Sequence, residues 1–472
     1  VLFRSEKKKA AAEEEEEGPI TVEPDDRYDT SLRTVNDVFR HVTEWAKARP
    51  AFCQDGKVVT YEQYAKEAMR YAKAIFAYKR DNCPDGTMYV MVNLYNSATY
   101  MYALVGAILA GAVPLCVPKA FMVNHMKDVF AFAAPQLAFV DQWTDKEGAL
   151  VQKFPHLKFV QTSEAEKKGD AMKLGDFCAL GDAVDDKTIA AISPDVQTVA
   201  EVVYTLGEDG HYKGVALSHA NLTVTAVSMN ALVKANKCDR VLNLMPLSSV
   251  AEQVLCCHMP MRAGSCVVFP NDTKARLSPQ TINQLCTRYR PSIFVAVPRI
   301  WEKLSGAVDT FFKSASGFTR KIGNWALKKG KAGVEAYEVK KHKPRGFGYA
   351  RNKVFFRLRT DLGLDACKFC GVYGKLDDRV ASLFYGAGLV LHHVFGDAET
   401  TGFALSTRHL SWTDEAVGVP VVKDGEFKIA GDELTVKGTN VCCGYLQIGG
   451  NITKVVDGDG FYHTREGAKT VQ

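Results

Sequence analysis

Val202-Val203-Tyr204-Thr205-Leu206-Gly207-Glu208-Asp209-Gly210-His211-Tyr212-Lys213-Gly214-Val215 is followed at once by Ala216-Leu217-Ser218-His219-Ala220-Asn221-Leu222. Val202–Tyr204 reads as a strand end, and Ser218–Leu222 as the entry to a helix with serine or asparagine available as its cap. The stretch between them has the skeleton of a phosphate-cradling loop. Glycines let backbone N–H groups close on an anion, and a lysine supplies a point charge. By spacing alone a plain structural turn explains the same glycines, so the meaning of the loop depends on its companions. Two acids, Glu208 and Asp209, stand where phosphate-binding side chains are needed.

Composition sets the frame. The 472 residues are 47% apolar and 24% charged, which is ordinary globular usage and enough for one large or several smaller domains. A net charge of +5 argues against nucleic acid as the main partner. The cysteines, thirteen in all and scattered without a secretory signal, fit a reducing compartment. Cys367 and Cys370 form a lone C-x-x-C without a second ligand pair, and Cys256-Cys257-His258 sits in an apolar run that reads as core. Leu94–Pro118 carries no charge, but Gly111 and Pro114 interrupt it, so a buried helix over Ala98–Leu109 and a strand over Ala112–Val117 fit better than a membrane span.

Folded structure is expected from Thr34, where Val35, Val38, Phe39, Val42 and Trp45 recur at helical spacing. Before it lies a lead-in (1–33) whose glutamate block reads as solvated and disordered, with Val1–Ser5 read as an adaptor remnant. Strands and helices then alternate through two blocks: Lys57–Tyr61, Met88–Leu94, Gln136–Val140 and Lys158–Gln161, then Arg240–Met245, Ser265–Phe269 and Ser292–Val297. Such alternation predicts α/β layers with parallel sheets. From about Asp414 short strands dominate, at Glu426–Ile429, Glu433–Val436 and Phe461–His463. Lys313–Lys353 carries twelve basic residues against two acids, which suits either a solvated helical pair or a contact with an anionic membrane surface.

Four further segments give the loop its context: Leu244-Met245-Pro246-Leu247-Ser248-Ser249-Val250-Ala251-Glu252-Gln253, Val295-Ala296-Val297-Pro298-Arg299-Ile300-Trp301-Glu302-Lys303, Val394-Phe395-Gly396-Asp397-Ala398-Glu399-Thr400-Thr401-Gly402, and Asp459-Gly460-Phe461-Tyr462-His463-Thr464-Arg465-Glu466. In this order, from about Asp37 to Glu466, the chain resembles the adenylate-forming acyl-CoA synthetases. Through Gly363-Leu364-Asp365-Ala366-Cys367 and the VPRIWEK segment it is most similar to the bubblegum type of long-chain synthetase. The resemblance implies an acyl-CoA synthetase/luciferase-like large N-terminal domain: two α/β subdomains over 34–413 and a smaller β-rich one over 414–472. It also implies activation of a long-chain fatty acid through an acyl-adenylate with ATP, magnesium and CoA. Expected partners are long-chain fatty acid or acyl-CoA and no nucleic acid, and the expected location is cytoplasmic, with membrane contact through 313–353 as the sharper alternative.

The resemblance also assigns residues. Thr205, Gly207, Gly210, Lys213, Gly214, Gly374, Thr400 and Glu466 would bind nucleotide. Glu399 would be the catalytic and magnesium-holding glutamate. Pro246, Ser248, Gln253, Pro298, Arg299 and Trp301 would form the acyl-side scaffold. His219, Asn221, His463 and Thr464 also fit the pattern. Against the family loop T-S-G-T-T-G-x-P-K-G, this chain has Leu206, Glu208 and Asp209 in place of three hydroxyl donors. Ala398 replaces the hydroxyl residue beside Glu399, Tyr373 and Lys375 replace small residues around adenine, and Glu466 replaces an aspartate. Like charges about 4 Å apart repel by roughly 1 kcal/mol in water and roughly 4 at an effective dielectric near 20, so two acids facing a triphosphate would cost roughly 2–8 kcal/mol. Relatives continue into a mobile lid with the catalytic lysine, and that lid is expected to be absent here. The expectation is a ligase with an impaired nucleotide site, with a scaffold or lipid-binding pseudoenzyme as the alternative and an amino-acid-activating domain as a more distant one.

Overall fold

The computed structural model describes residues 33–165, 169–207, 209–270, 278–314, 321, 325–333, 345–407, 418–430 and 433–467, without the side chains of 309–314, 352, 353 and 465–467. The lead-in before residue 33, Glu208, the side chain of Glu466, the junction at 413/414 and much of 313–353 therefore lie outside the described residues.

Two nine-stranded sheets form the body. The first runs in space through Val419–Pro420, Leu405–Ser406, Leu391–Phe395, Phe369–Tyr373, Ile293–Ala296, Arg240–Leu242, Cys266–Phe269, Pro50–Gln54 and Lys57–Thr60. Its centre is parallel and its two margins are antiparallel. The second runs through Ile452–Thr453, Gly444–Leu446, Tyr212–Ser218, Val199–Leu206, Val113–Cys116, Tyr89–Asn93, Leu137–Val140, Lys158–Gln161 and Met172–Lys173. Its parallel half is almost wholly apolar, as strands covered on both faces must be. A three-stranded antiparallel sheet joins Glu426–Ala430, Glu433–Lys437 and Tyr462–Gly467.

Thr34 caps the first described helix, Val35–Trp45, in a reciprocal box with Asp37. The uncharged run resolves into the helix Ala98–Leu109 and the strand Val113–Cys116, separated by Gly111 at φ 65°. That helix crosses Tyr61–Asn82 so closely that a Cβ on Gly106 would lie 2.7 Å from Tyr71 Cβ. No helix among the described residues is long and apolar enough to cross a membrane.

Two features differ from the sequence expectation. Tyr212–Ser218, read as loop and helix entry, is a full strand hydrogen-bonded to Val199–Leu206. The cradle-like stretch is thus the tip of a β-hairpin, and Ser218 caps the helix His219–Val233 through a box with Asn221. Gly444–Leu446 and Ile452–Thr453, within the stretch expected as a separate β-rich part, instead extend the second α/β sheet by pairing onto Tyr212–Ser218. The edge of that hairpin is an unpaired row of N–H and C=O groups that a later strand can satisfy at any sequence distance.

Candidate nucleotide and metal site

Gly444–Leu446 matters because of what it carries. Its pairing places Tyr445 opposite Val215, two residues beyond Lys213. Lys213 Nζ lies 5.4 Å from the centre of the Tyr445 ring, and the Tyr445 hydroxyl donates to Glu399 Oε1 at 2.7 Å. The lysine of the first motif and the glutamate of the fourth therefore meet at one tyrosine, the lysine over its ring and the glutamate at its hydroxyl. No sequence motif marked Tyr445.

Glu399 sits in a one-turn helix, Ala398–Thr400, capped by Asp397. Thr400 is fully buried and committed to this cap: its N–H and its hydroxyl both donate to Asp397 Oδ1, and its Oγ1 accepts the Asp397 N–H. Tyr462 donates to Asp397 Oδ2 at 3.0 Å, and Tyr373 donates to the carbonyls of Gly396 and Gly402. Tyr373, expected only to crowd the adenine position, is thus the clamp that closes the turn. Burial, and after it the neighbouring Glu399 charge, push the Asp397 carboxyl up to about 6. Thr401 adopts φ 53° and its hydroxyl donates to the Asn440 carbonyl. Gly402, at φ 80°, lies so close to the PLSSVAEQ helix that a Cβ would be 2.6 Å from Ala251 Cα.

The hairpin tip is organised differently. Gly207 N–H donates to the His211 carbonyl, Gly210 N–H to the Gly207 carbonyl, and His211 N–H to Asp209 Oδ1. Asp209 is exposed, and the His211 N–H holds its carboxyl below the usual range. Asp128, from the helix Met126–Ala133, accepts the Tyr212 N–H at 2.8 Å and approaches the His211 ring, fixing the tip from outside. Thr205 stands opposite Lys213 in the hairpin register. Gly214 is tightly enclosed, since a Cβ would be 3.1 Å from Val202 Cγ1.

Gly374 ends its strand at φ 110°, exposed, with Pro298 Cγ about a van der Waals distance away. Trp301 is a core residue: its Nε1 donates to the Gly371 carbonyl at 3.0 Å, and its ring packs edge-on between Phe294 and Phe384. Arg299 and Pro246 are exposed, whereas Ser248 and Gln253 are buried, Gln253 donating to the Leu247 carbonyl. Glu252 organises this segment, accepting from Asn243 and from the N–H groups of Leu244 and Met245, while burial pushes its carboxyl up to about 7. His463 bridges Glu433 and Asp457, and both carboxylates raise its pKa. His219 accepts the Val35 N–H, and burial lowers its pKa to about 4. Cys367 and Cys370 are buried with their sulfurs 3.5 Å apart, and no cluster of three or more metal-binding side chains occurs among the described residues.

Magnesium binding commonly uses one or two carboxylates with substrate phosphates completing the octahedron. A single buried carboxylate at Glu399, beside Asp397 and facing Lys213 through Tyr445, fits that mode.

A strand of the second sheet thus carries Tyr445 between the glycine-tipped hairpin and the acidic turn that follows the first-sheet strand Leu391–Phe395. The chain belongs to the AMP-binding enzyme family, whose model matches residues 38–454. It is 25% identical over 427 residues to the long-chain-fatty-acid–CoA ligase ACSBG2 of Gallus gallus, covering 86% of this chain and 55% of that protein. For ACSBG2 of Homo sapiens the figures are 25% over 450 residues, 91% and 66%. The chain thus spans between half and two thirds of the length of these relatives. Among solved structures, ATP-bound MatB from Rhodopseudomonas palustris superposes with a TM-score of 0.65 at 17% identity, covering 91% of this chain and 75% of that one. A benzoate CoA ligase from Burkholderia xenovorans superposes with a TM-score of 0.62 at 16% identity, covering 90% and 78%. At these identities the likeness establishes the fold.

Proposed function

We propose that this chain is the adenylate-forming body of a long-chain fatty acid–CoA ligase in which triphosphate binding is weakened. Family membership and the ligase relatives support the reaction class. The single observation that carries the weakening is the self-satisfied hairpin tip. A phosphate cradle works by offering free N–H groups to the anion. Here the N–H groups of Gly207, Gly210 and His211 are already donated within the loop, one of them to the carboxylate of Asp209.

In this reading the fatty carboxylate attacks the α-phosphorus of ATP, pyrophosphate leaves, and the mixed anhydride is later opened by the CoA thiol with release of AMP. Glu399 would hold magnesium, which when bound neutralises phosphate charge. Lys213 would place its ammonium against the phosphates, where a charged donor acts most strongly in a dry cleft. Tyr445 fixes the spacing of the two. Tyr373 and Tyr462 keep the Glu399 turn from reorganising as charge develops.

The same tip favours a second reading, a pseudoenzyme that retains the scaffold and an acyl-binding capacity. Fatty-acid-dependent ATP–pyrophosphate exchange, run beside fluorescent fatty-acid binding, separates the two. The expected result is acyl binding with little exchange. Robust exchange with any medium- to very-long-chain acid would overturn the weakened site. Peripheral contact of the basic run with anionic membranes is part of the same proposal, and co-sedimentation with anionic vesicles tests it.

A further inference from the structure

A cavity lies away from the cluster of Lys213, Tyr445 and Glu399. Its volume is about 440 Å³, and it is lined by Phe347, Arg351, Phe355, Phe356, Arg359, Asp365 and Gly388. That volume falls within the range of ordinary small-molecule sites. Gly388 precedes the strand Leu391–Phe395, whereas the Glu399 turn follows it, so about one strand length, roughly 17 Å, separates the two regions.

The lining has two chemistries. Phe347, Phe355 and Phe356 supply aromatic surface, and Phe356 is left 62% exposed, unusual for so large an apolar side chain. Arg351 and Arg359 supply positive charge. Arg359 donates one guanidinium nitrogen to the Gly388 carbonyl, but its buried Nε has no hydrogen-bond partner among the described residues. A buried donor without an acceptor is costly unless something supplies one. The carboxylate in the lining, Asp365, is already paired with Arg290 on its other side. Among the described residues the lining therefore sets two guanidinium groups, Arg351 and Arg359, against one carboxylate that is shared with Arg290, next to apolar walls.

We propose that this cavity is a binding site for a single-chain amphiphilic anion, its carboxylate or phosphate on Arg359 and Arg351 and its chain along Phe347, Phe355 and Phe356. The probe is sodium dodecanoate below its micelle-forming concentration, followed by titration calorimetry on the full chain. Arg351→Gln and Phe356→Asp alter exposed side chains, so the fold is retained, which thermal unfolding checks. Calorimetry is expected to resolve a class of dodecanoate sites that each substitution weakens at least tenfold, separate from any dodecanoate held on the acyl side of the ligase site, while Tyr445→Phe leaves this class unchanged. The cationic dodecyltrimethylammonium is expected to bind at least tenfold more weakly than dodecanoate. Binding that ignores both cavity substitutions, or that does not distinguish anion from cation, overturns the proposal. Association with phosphatidic acid vesicles without binding of monomeric dodecanoate also overturns it, because the surface would then serve a bilayer. Should Phe356→Asp unfold the chain, Arg351→Gln alone decides.

Discussion

The hairpin tip Gly207–His211, which leads into the strand of Lys213, and the turn Gly396–Gly402, which carries Glu399, are built on different principles. The tip is exposed from Asp209 to His211 and closes mainly through hydrogen bonds spanning two to four residues, with Asp128 reaching the His211 ring and the Tyr212 N–H from outside. The turn is buried and held from far along the chain, by Tyr373, Tyr445 and Tyr462 and by the close approach of Ala251. A segment stabilised by its own short-range bonds can change its side chains without disturbing the fold. A segment clamped by distant residues cannot. That difference explains how Leu206 and Asp209 can stand in the first while the second keeps its Glu-Thr-Thr-Gly.

Gly402→Ala should break the contrast most strongly. Positive φ and a Cβ forced onto the Ala251 backbone predict destabilisation of roughly 4 kcal/mol in denaturant unfolding. Gly210→Ala has φ 78° but open space around it, so roughly 1 kcal/mol is expected. Equal effects would refute the claim that the turn is the more tightly clamped of the two.

The strand leading into the tip carries a second test. Glu201 is fully buried with neither carboxylate oxygen hydrogen-bonded among the described residues, and burial pushes its pKa from 4.5 to about 8. A raised carboxyl favours the protonated fold, so its contribution is fully present below pH 4.5 and is lost as pH rises through about 8. Glu201→Gln should remove that slope. Relative to its value at pH 5, the variant should gain on the order of 3 kcal/mol over the natural chain by pH 9. Parallel stability curves for the two proteins would show that Glu201 does not titrate in this range.

Tyr445→Phe removes a hydrogen bond to a buried carboxylate and should destabilise by about 2 kcal/mol by thermal or denaturant unfolding. No loss would mean that Glu399 is held by other contacts. The smallest effect is expected at the exposed tip. Replacing Glu208 and Asp209 by threonine should leave stability nearly unchanged while tightening Mg-ATP binding at least about tenfold, equivalent to roughly 1.4 kcal/mol, by calorimetry. Tight binding by the natural chain with no change in the variant would remove the electrostatic argument.

Much of the architecture is local and was legible as such. The Thr34 cap, the helix Ala98–Leu109 and the strand Lys158–Gln161 follow from spacing and capping chemistry that neighbouring residues carry. The second strand of the hairpin was not legible, because glycines and a lysine near a strand end also describe a loop. Trp301 was expected in the acyl-side scaffold, and the structure adds that it spans the layer between a helix and the strand Phe369–Tyr373. Its role depends on which residues lie opposite it.

By itself the order of motifs determined the family and the two-sheet plan, since period, glycine placement and apolar runs act over a few residues at a time. Only the tertiary structure decided the site. Lys213, Glu399 and Tyr445 come together because Gly444–Leu446 pairs onto an edge more than 200 residues earlier in the chain, as the partners Gly444 and Ala216 show. The hydrogen bonds that engage the N–H groups of Gly207, Gly210 and His211 are likewise specified by no residue type. Edge pairing is satisfied by backbone alone, so the sequence carries no mark of it.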